Sequence, residues 1–80
     1  MAFPLPEPMR RALKLASAAA AEGEVPVGAV IVRGGTVVAE AANAPRRLAD
    51  PTAHAELLAI REAAAAIGAD RLEDCDLWVT

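Results

Sequence analysis

The chain has 80 residues, of which 55% are hydrophobic, and a formal net charge of −3 at pH 7. This length allows one small domain at most, since compact domains usually span ~50–200 residues. The acidic balance argues against a general nucleic-acid-binding or membrane-binding surface. The longest apolar run, residues 25–32, is far shorter than the ~20 residues that a membrane-spanning helix needs.

Cysteine usage and the N-terminal segment indicate a location. Cys75 is the only cysteine, so no internal disulfide can form, which is typical of the reducing cytoplasm. The first seven residues contain neither the basic region nor the apolar region of a secretion signal. We therefore expect a soluble, cytoplasmic protein without a membrane-bound segment.

The first predicted element is a helix. Prolines at positions 4, 6 and 8 favour an extended segment before it, and Pro8 itself suits a first helical turn. Apolar residues then recur at helical spacing over residues 9–20. Gly23 is a suitable C-terminal stop.

A β-hairpin is predicted next. Residues 27–32 are apolar without alternation, as in a strand covered on both faces. Gly34 and Gly35 supply a two-residue turn in which both positions can adopt positive φ. The chain returns as a second strand over residues 36–42, and a loop over residues 43–50 follows.

A second helix is predicted from residue 51 or 53 to residue 67, where Gly68 ends it. Either Asp50 or Thr52 could cap this helix, and the sequence leaves both possibilities open. The residues expected to face the sheet are Leu58, Ala65 and Ile67.

A third strand over residues 75–80 completes an α/β order of helix, strand, strand, helix, strand. A helical crossover makes the second and third strands run the same way, and a sheet order of 2-1-3 is expected. The third strand would then be an apolar open edge, which native proteins normally avoid. We therefore expect that further structure follows Thr80.

His54 and Glu56 have the side chains best suited to catalysis. A histidine near a helix N-terminus can bind a divalent metal through a neutral ring nitrogen, and a nearby carboxylate can carry protons. A lone His-x-Glu also arises by chance, and taken alone it favours a structural role for His54. By the same reasoning, Cys75 is interpreted as a buried small residue and Arg46-Arg47 as a solvated loop.

Four segments change that interpretation. They are Glu-Val-Pro-Val-Gly-Ala-Val at 24–30, Asn-Ala-Pro at 43–45, Asp-Pro-Thr-Ala-His-Ala-Glu at 50–56 and Leu-Trp-Val-Thr at 77–80. Their order and spacing strongly resemble the bacterial tRNA-specific adenosine deaminases of the cytidine deaminase-like superfamily, from about Met9 to the last residue. The resemblance implies a truncated cytidine deaminase-like fold.

The resemblance also implies roles for individual residues. His54 would be the histidine ligand of a catalytic Zn²⁺, and Glu56 would shuttle protons while adenosine becomes inosine. Asn43 would hydrogen-bond the flipped nucleoside. Val25 would form part of the wall against the base, and the Ala55 backbone would contact the base edge.

The sequence departs from the family in its zinc ligands. Relatives continue after the third strand into Pro-Cys-x-x-Cys, whose two cysteines complete the zinc site, and Cys75 matches neither position. Residues 1–80 are therefore expected to form a single incomplete deaminase domain, inactive by itself. When complete, the protein is expected to act on a tRNA anticodon loop and, by resemblance, to form homodimers.

Two alternatives stay open. A relative that deaminates guanine, cytosine or a free nucleoside carries a similar His-Ala-Glu segment. Alternatively, the chain is a non-catalytic complementing half that pairs with a partner through its third strand.

Overall fold

The computed structural model describes residues 4–80 and confirms the predicted order of elements. Residues 1–3, part of the segment in which no secretion signal is expected, lie outside the described residues. The helices and strands are α1 (Glu7–Ala21), β1 (Gly28–Arg33), β2 (Thr36–Ala42), α2 (Ala55–Ile67) and β3 (Cys75–Val79). Neither helix in residues 4–80 combines the length and the apolarity required to cross a bilayer.

The three strands form one sheet in the predicted order β2-β1-β3. β1 is antiparallel to both neighbours, so β2 and β3 run in the same direction, as the helical crossover predicts. Gly34 and Gly35 have φ values of 56° and 79°, which confirms the predicted hairpin turn. The first four residues of β1 are buried, in agreement with a strand covered on both faces.

The two helices cover opposite faces of the sheet. Successive residues of a strand point to opposite faces. In β1, Ala29 and Ile31 belong to the core cluster that includes α2, whereas Gly28, one residue before Ala29, lies against α1. Each helix packs through alanines, which are Ala12, Ala16 and Ala19 in α1 and Ala55, Ala59 and Ala63 in α2.

The prediction of which residues of the second helix face the sheet was wrong in part. Ala65 is exposed, and Leu58 is only half-buried. Because residues 63–66 are all alanine, the apolar pattern does not mark which side of the helix faces the sheet. The buried alanines recur every four residues, and their small side chains let the helix approach the sheet closely.

Gly28 is required where α1 crosses the start of β1. A Cβ atom at this position would lie 2.0 Å from the Ala12 carbonyl oxygen and 2.8 Å from the Leu15 Cβ. Both distances are well below van der Waals contact. Glycine at position 28 therefore allows α1 to lie close to the start of β1.

Candidate active site

The predicted site residues gather at one end of the sheet. β1 begins there and β2 ends there, since Gly28 pairs with Ala42. β3 ends there too, because the Thr80 N–H donates to the Gly28 carbonyl oxygen (3.1 Å) and the Gly28 N–H donates to Thr80 Oγ1 (3.1 Å). The start of α2 is attached to the same end through Asn43, the residue that directly follows β2.

α2 begins at Ala55, later than the sequence indicates, and His54 is its N-cap residue with extended backbone angles (φ −79°, ψ 146°). Neither Asp50 nor Thr52 caps the helix, so both predicted caps were wrong. The His54 side chain makes no capping hydrogen bond and is exposed. Its ring nitrogens are therefore not used by the start of the helix.

The segment before His54 forms consecutive turns, which explains the later start. The Asp50 carboxylate accepts hydrogen bonds from the Thr52 hydroxyl (2.7 Å) and the Thr52 N–H (2.8 Å). These two bonds favour the ionised form and lower the pKa of Asp50. The Ala53 N–H donates to the Asp50 carbonyl oxygen, and the His54 N–H donates to the Thr52 carbonyl oxygen. Local hydrogen bonds thus replace the first helical turn that the sequence predicts.

Asn43 takes the capping role from the other side of the site. Its Oδ1 accepts a hydrogen bond from the Ala55 N–H at 3.0 Å, and the residue is buried, with 5% of its surface exposed. This bond satisfies one of the donors that an α-helix leaves free at its N-terminus. It also orients the amide, because only the oxygen can accept from a backbone N–H.

Backbone bonds connect Asn43 to the other predicted residues. The Asn43 N–H donates to the Val27 carbonyl oxygen, and the Ala44 N–H donates to the Ala53 carbonyl oxygen, both at 2.9 Å. Val25 lies two residues before Val27 and is 66% exposed, a large exposure for an apolar side chain. The structure therefore brings the segments of Val25, Asn43 and His54 to one place.

The remaining two predicted residues lie in the first turn of α2. Glu56 is half-buried, and Ala55 is fully buried with its N–H directed at Asn43. An acidic residue in the first helical turn is favoured by the helix dipole. The chemical roles of all five residues stay predictions, and their shared location is what the fold adds.

Residues 4–80 do not bring three metal-binding side chains together. No group of three histidine, cysteine, aspartate or glutamate side chains in this part of the chain could surround a metal ion. Cys75 pairs with Arg33, the last residue of β1, whereas the candidate site lies at Gly28, the first residue of the same strand. A five-residue separation along a strand corresponds to roughly 16 Å, so Cys75 cannot join His54 in one site.

The sequence did not single out Glu24 as a buried residue. It is 6% exposed, and its carboxylate accepts hydrogen bonds from the backbone of the loop that follows Asn43. The available signal was its place at the head of the Glu-Val-Pro-Val-Gly-Ala-Val segment on which the resemblance rests. Its partners are 22 and 23 residues away, so the chain order does not reveal them.

Residues 5–80 match the protein family described as the cytidine and deoxycytidylate deaminase zinc-binding region. The tRNA-specific adenosine deaminase of Aquifex aeolicus (strain VF5) is 49% identical over 72 residues, which cover 90% of this chain and 48% of that protein. The chain spans about half the length of the bacterial tRNA-specific adenosine deaminases that it matches.

Solved structures of deaminases are similar to this chain as well. The structure of a tRNA:A34 deaminase, studied for A-to-I editing at the wobble position, has a TM-score of 0.88 at 48% identity and covers 91% of this chain and 56% of that chain. Guanine deaminase from Bacillus subtilis has a TM-score of 0.89 at 41% identity and covers 96% and 50%. These matches confirm the predicted resemblance, and the chain belongs to the cytidine and deoxycytidylate deaminase zinc-binding family.

Proposed function

We propose that this chain supplies the histidine and the proton-carrying glutamate of a zinc-dependent deaminase that converts adenosine to inosine in tRNA. One observation carries the proposal: the α2 N-terminus, with His54 and Glu56, is attached by Asn43 to the end of the sheet that Thr80 reaches. The similarity to tRNA-specific adenosine deaminases supports tRNA as the substrate class.

Each residue has a role in this proposal. His54 is one ligand of Zn²⁺, with its exposed ring free of capping bonds. Asn43 uses its oxygen for Ala55, which leaves the two Nδ2 hydrogens to donate to an acceptor atom of the nucleoside. Val25 provides an apolar wall against the base. The proposed contact of the Ala55 backbone with the base edge has to be made by an atom other than the N–H, which donates to Asn43.

Glu56 carries the proton in the reaction. Water adds at C6 of adenine, a proton moves through the Glu56 carboxylate to the purine ring nitrogen, and ammonia leaves with the remaining proton. The balance is adenosine plus water to inosine plus ammonia. A half-buried carboxylate in a first helical turn is suited to this exchange, because it is accessible and held by its helix.

The other zinc ligands come from outside residues 4–80 in this proposal. Thr80 is hydrogen-bonded to Gly28, so polypeptide that follows β3 starts beside the site. Residues 1–80 alone are then inactive and form part of a domain. A homodimer and a cytoplasmic location belong to the same proposal, the latter supported by the single cysteine.

Zinc content and deamination of the full-length natural protein test the proposal separately. We expect about one zinc per chain and conversion of the wobble adenosine of an anticodon stem-loop to inosine. His54→Ala should lose both zinc and activity. Glu56→Gln should keep zinc and lose activity by about a hundredfold or more. A natural protein that holds no zinc, or that leaves the stem-loop unchanged, would contradict the proposal.

A guanine deaminase is the second candidate within this family. The observation that favours it is the similarity to the Bacillus subtilis guanine deaminase. Its TM-score is 0.89, and that of the tRNA:A34 deaminase is 0.88. The backbone is therefore equally similar to both deaminases. Release of ammonia from free guanine, with the anticodon stem-loop left intact, would select this candidate.

A complementing half is the third candidate. Within residues 4–80, β3 pairs with β1 alone, and Leu77 on this strand is 46% exposed. A partner chain that carries Pro-Cys-x-x-Cys could extend the sheet there. Activity that appears only on mixing the two chains would support this candidate, and no gain on mixing would count against it.

A further inference from the structure

The buried carboxylate of Glu24 has no part in the proposed chemistry. Its Oε1 accepts a hydrogen bond from the Arg46 N–H at 3.0 Å, and its Oε2 accepts one from the Arg47 N–H at 2.7 Å. Burying a charged group is costly unless strong hydrogen bonds compensate, and bonds to an ionised acceptor are the strong kind. The buried carboxylate therefore holds the two backbone donors in place.

The residues around Glu24 reinforce the same connection. The Arg46 guanidinium donates to the Gly23 carbonyl oxygen at 3.2 Å, and Arg47 forms an ion pair with Glu22 at 3.3 Å. That ion pair is exposed on both sides, so it contributes little. The buried Glu24 bonds are the main attachment between the end of α1 and the loop of residues 44–49.

Glu24 connects the segments of two residues proposed to contact the nucleoside. Val25 follows it directly in the chain, and Asn43 directly precedes the 44–49 loop. Within that loop, Ala49 has a positive φ of 50°, a conformation that alanine adopts only when the surroundings impose it. The loop is therefore held in a shape that its own sequence does not favour.

We propose that Glu24 is a positioning residue that fixes the 44–49 loop against the segment of Val25 and thereby sets the spacing between Val25 and the Asn43 amide. This inference rests on the proposed function. It makes Glu24 responsible for the separation of two groups proposed to bind the nucleoside, without any contact of its own with the substrate.

The inference requires that both carboxylate oxygens of Glu24 reach the Arg46 and Arg47 N–H groups. A variant of the same shape and a shorter variant therefore test it. Glu24→Gln keeps the shape but replaces one acceptor by an NH₂ donor, which faces a backbone N–H that is also a donor. Glu24→Asp keeps the charge but is one methylene shorter and cannot reach both N–H groups. Glu22→Gln is the matched control, since it removes a neighbouring surface carboxylate that holds only Arg47.

Steady-state kinetics on an anticodon stem-loop, with the full-length natural protein, give the first test. Asn43 and Val25 are proposed to bind the nucleoside throughout the reaction, so their displacement should raise KM with little change in kcat. We expect KM to rise about tenfold in Glu24→Gln and Glu24→Asp, with zinc content unchanged. Glu22→Gln should behave as the natural protein. An unchanged KM in both Glu24 variants would overturn the inference, whereas an inactive natural protein would instead overturn the proposed function.

A double-mutant cycle separates positioning from general stabilisation. Asn43→Asp keeps an oxygen that can accept from Ala55 and replaces the donor proposed for the substrate by a charged acceptor. If Glu24 acts through Asn43, the double variant Glu24→Gln/Asn43→Asp should be no worse in KM than Asn43→Asp. Fully additive losses would show that Glu24 acts on overall stability and would overturn the inference.

Amide hydrogen exchange of the natural protein decides the matter if Glu24→Gln fails to fold. The two bonds to Glu24 should slow the exchange of the Arg46 and Arg47 amides relative to the rates of the same amides in an unstructured peptide. Exchange of both amides at the rate of unprotected residues would contradict the inference.

Discussion

The two helices pack alike but begin differently. Each buries three alanines against one face of the sheet. α1 follows Pro6 and has no side-chain hydrogen bond at its start. α2 follows His54, and its first N–H is bound by Asn43, twelve residues earlier in the chain.

This difference separates two ways of placing a helix. α1 is located by shape, because Gly28 permits a close approach that any larger residue would prevent. α2 is located by a buried hydrogen bond in addition to its alanines. The candidate catalytic residues lie on α2, where a directional polar contact fixes the helix start relative to the end of β2. Precise placement of reacting groups requires such support.

The largest effect is expected from breaking the contact of α1. Gly28→Ala places a methyl group against the Ala12 carbonyl oxygen, a backbone atom that cannot move without the helix. We expect the free energy of unfolding of the full-length natural protein to fall by about 1–3 kcal/mol in urea denaturation. Gly68→Ala is the control, since it has open space but a φ of 75°, and should cost about 1 kcal/mol. Equal losses would mean that close packing at Gly28 is unimportant.

Removing the attachment of α2 should have the next largest effect. Asn43→Ala leaves the Ala55 N–H without its acceptor and should lower the free energy of unfolding by about 1–2 kcal/mol. Asn43→Asp keeps the acceptor and should lose much less. At α1, Glu7→Ala removes an exposed ion pair with Arg10 and a first-turn carboxylate, and it should cost no more than about 0.5 kcal/mol. A loss at Glu7 as large as that at Asn43 would refute the contrast between the helices.

The loop that leads to α2 offers a stabilising change. Ala49 has a φ of 50°, which glycine adopts without steric cost. Ala49→Gly should raise the free energy of unfolding by about 0.5–1 kcal/mol, the relief of strain minus the greater entropy of the unfolded glycine. Ala69→Gly is the matched control at an exposed position without positive φ, and it should be destabilising. Destabilisation by both changes would show that the loop is not strained.

The smallest expected effect is a pH dependence from the turn before α2. The Thr52 hydroxyl and N–H lower the pKa of Asp50 in the folded state, so the unfolded chain binds the proton more readily. The resulting stabilisation is complete above the unfolded pKa of about 3.9 and is lost as the pH falls through the lower folded value. Denaturation of the natural protein and Asp50→Asn, at neutral pH and near pH 3, should therefore give a difference in stability that shrinks in acid. A difference independent of pH would exclude this role of Asp50.

Much of the fold follows from short-range patterns. The order of the elements, the glycine turn and the doubly covered β1 were predicted because each depends on neighbours within a few residues. The sheet order followed from that coverage and from the helical crossover. His54 and Glu56 were found through their motif, since the family signature is contiguous around them.

The amino-acid sequence alone therefore determined the elements, their order in the sheet and the family, because hydrophobic period, glycine turns and motif spacing are properties of adjacent residues. Only the tertiary structure decided where α2 begins, which alanines it buries, and how Glu24 and Asn43 connect the site. Those features depend on hydrogen bonds across 12 to 23 residues of chain and on close contacts between layers. A linear pattern carries no information on such distances, so the support of the site became visible only in three dimensions.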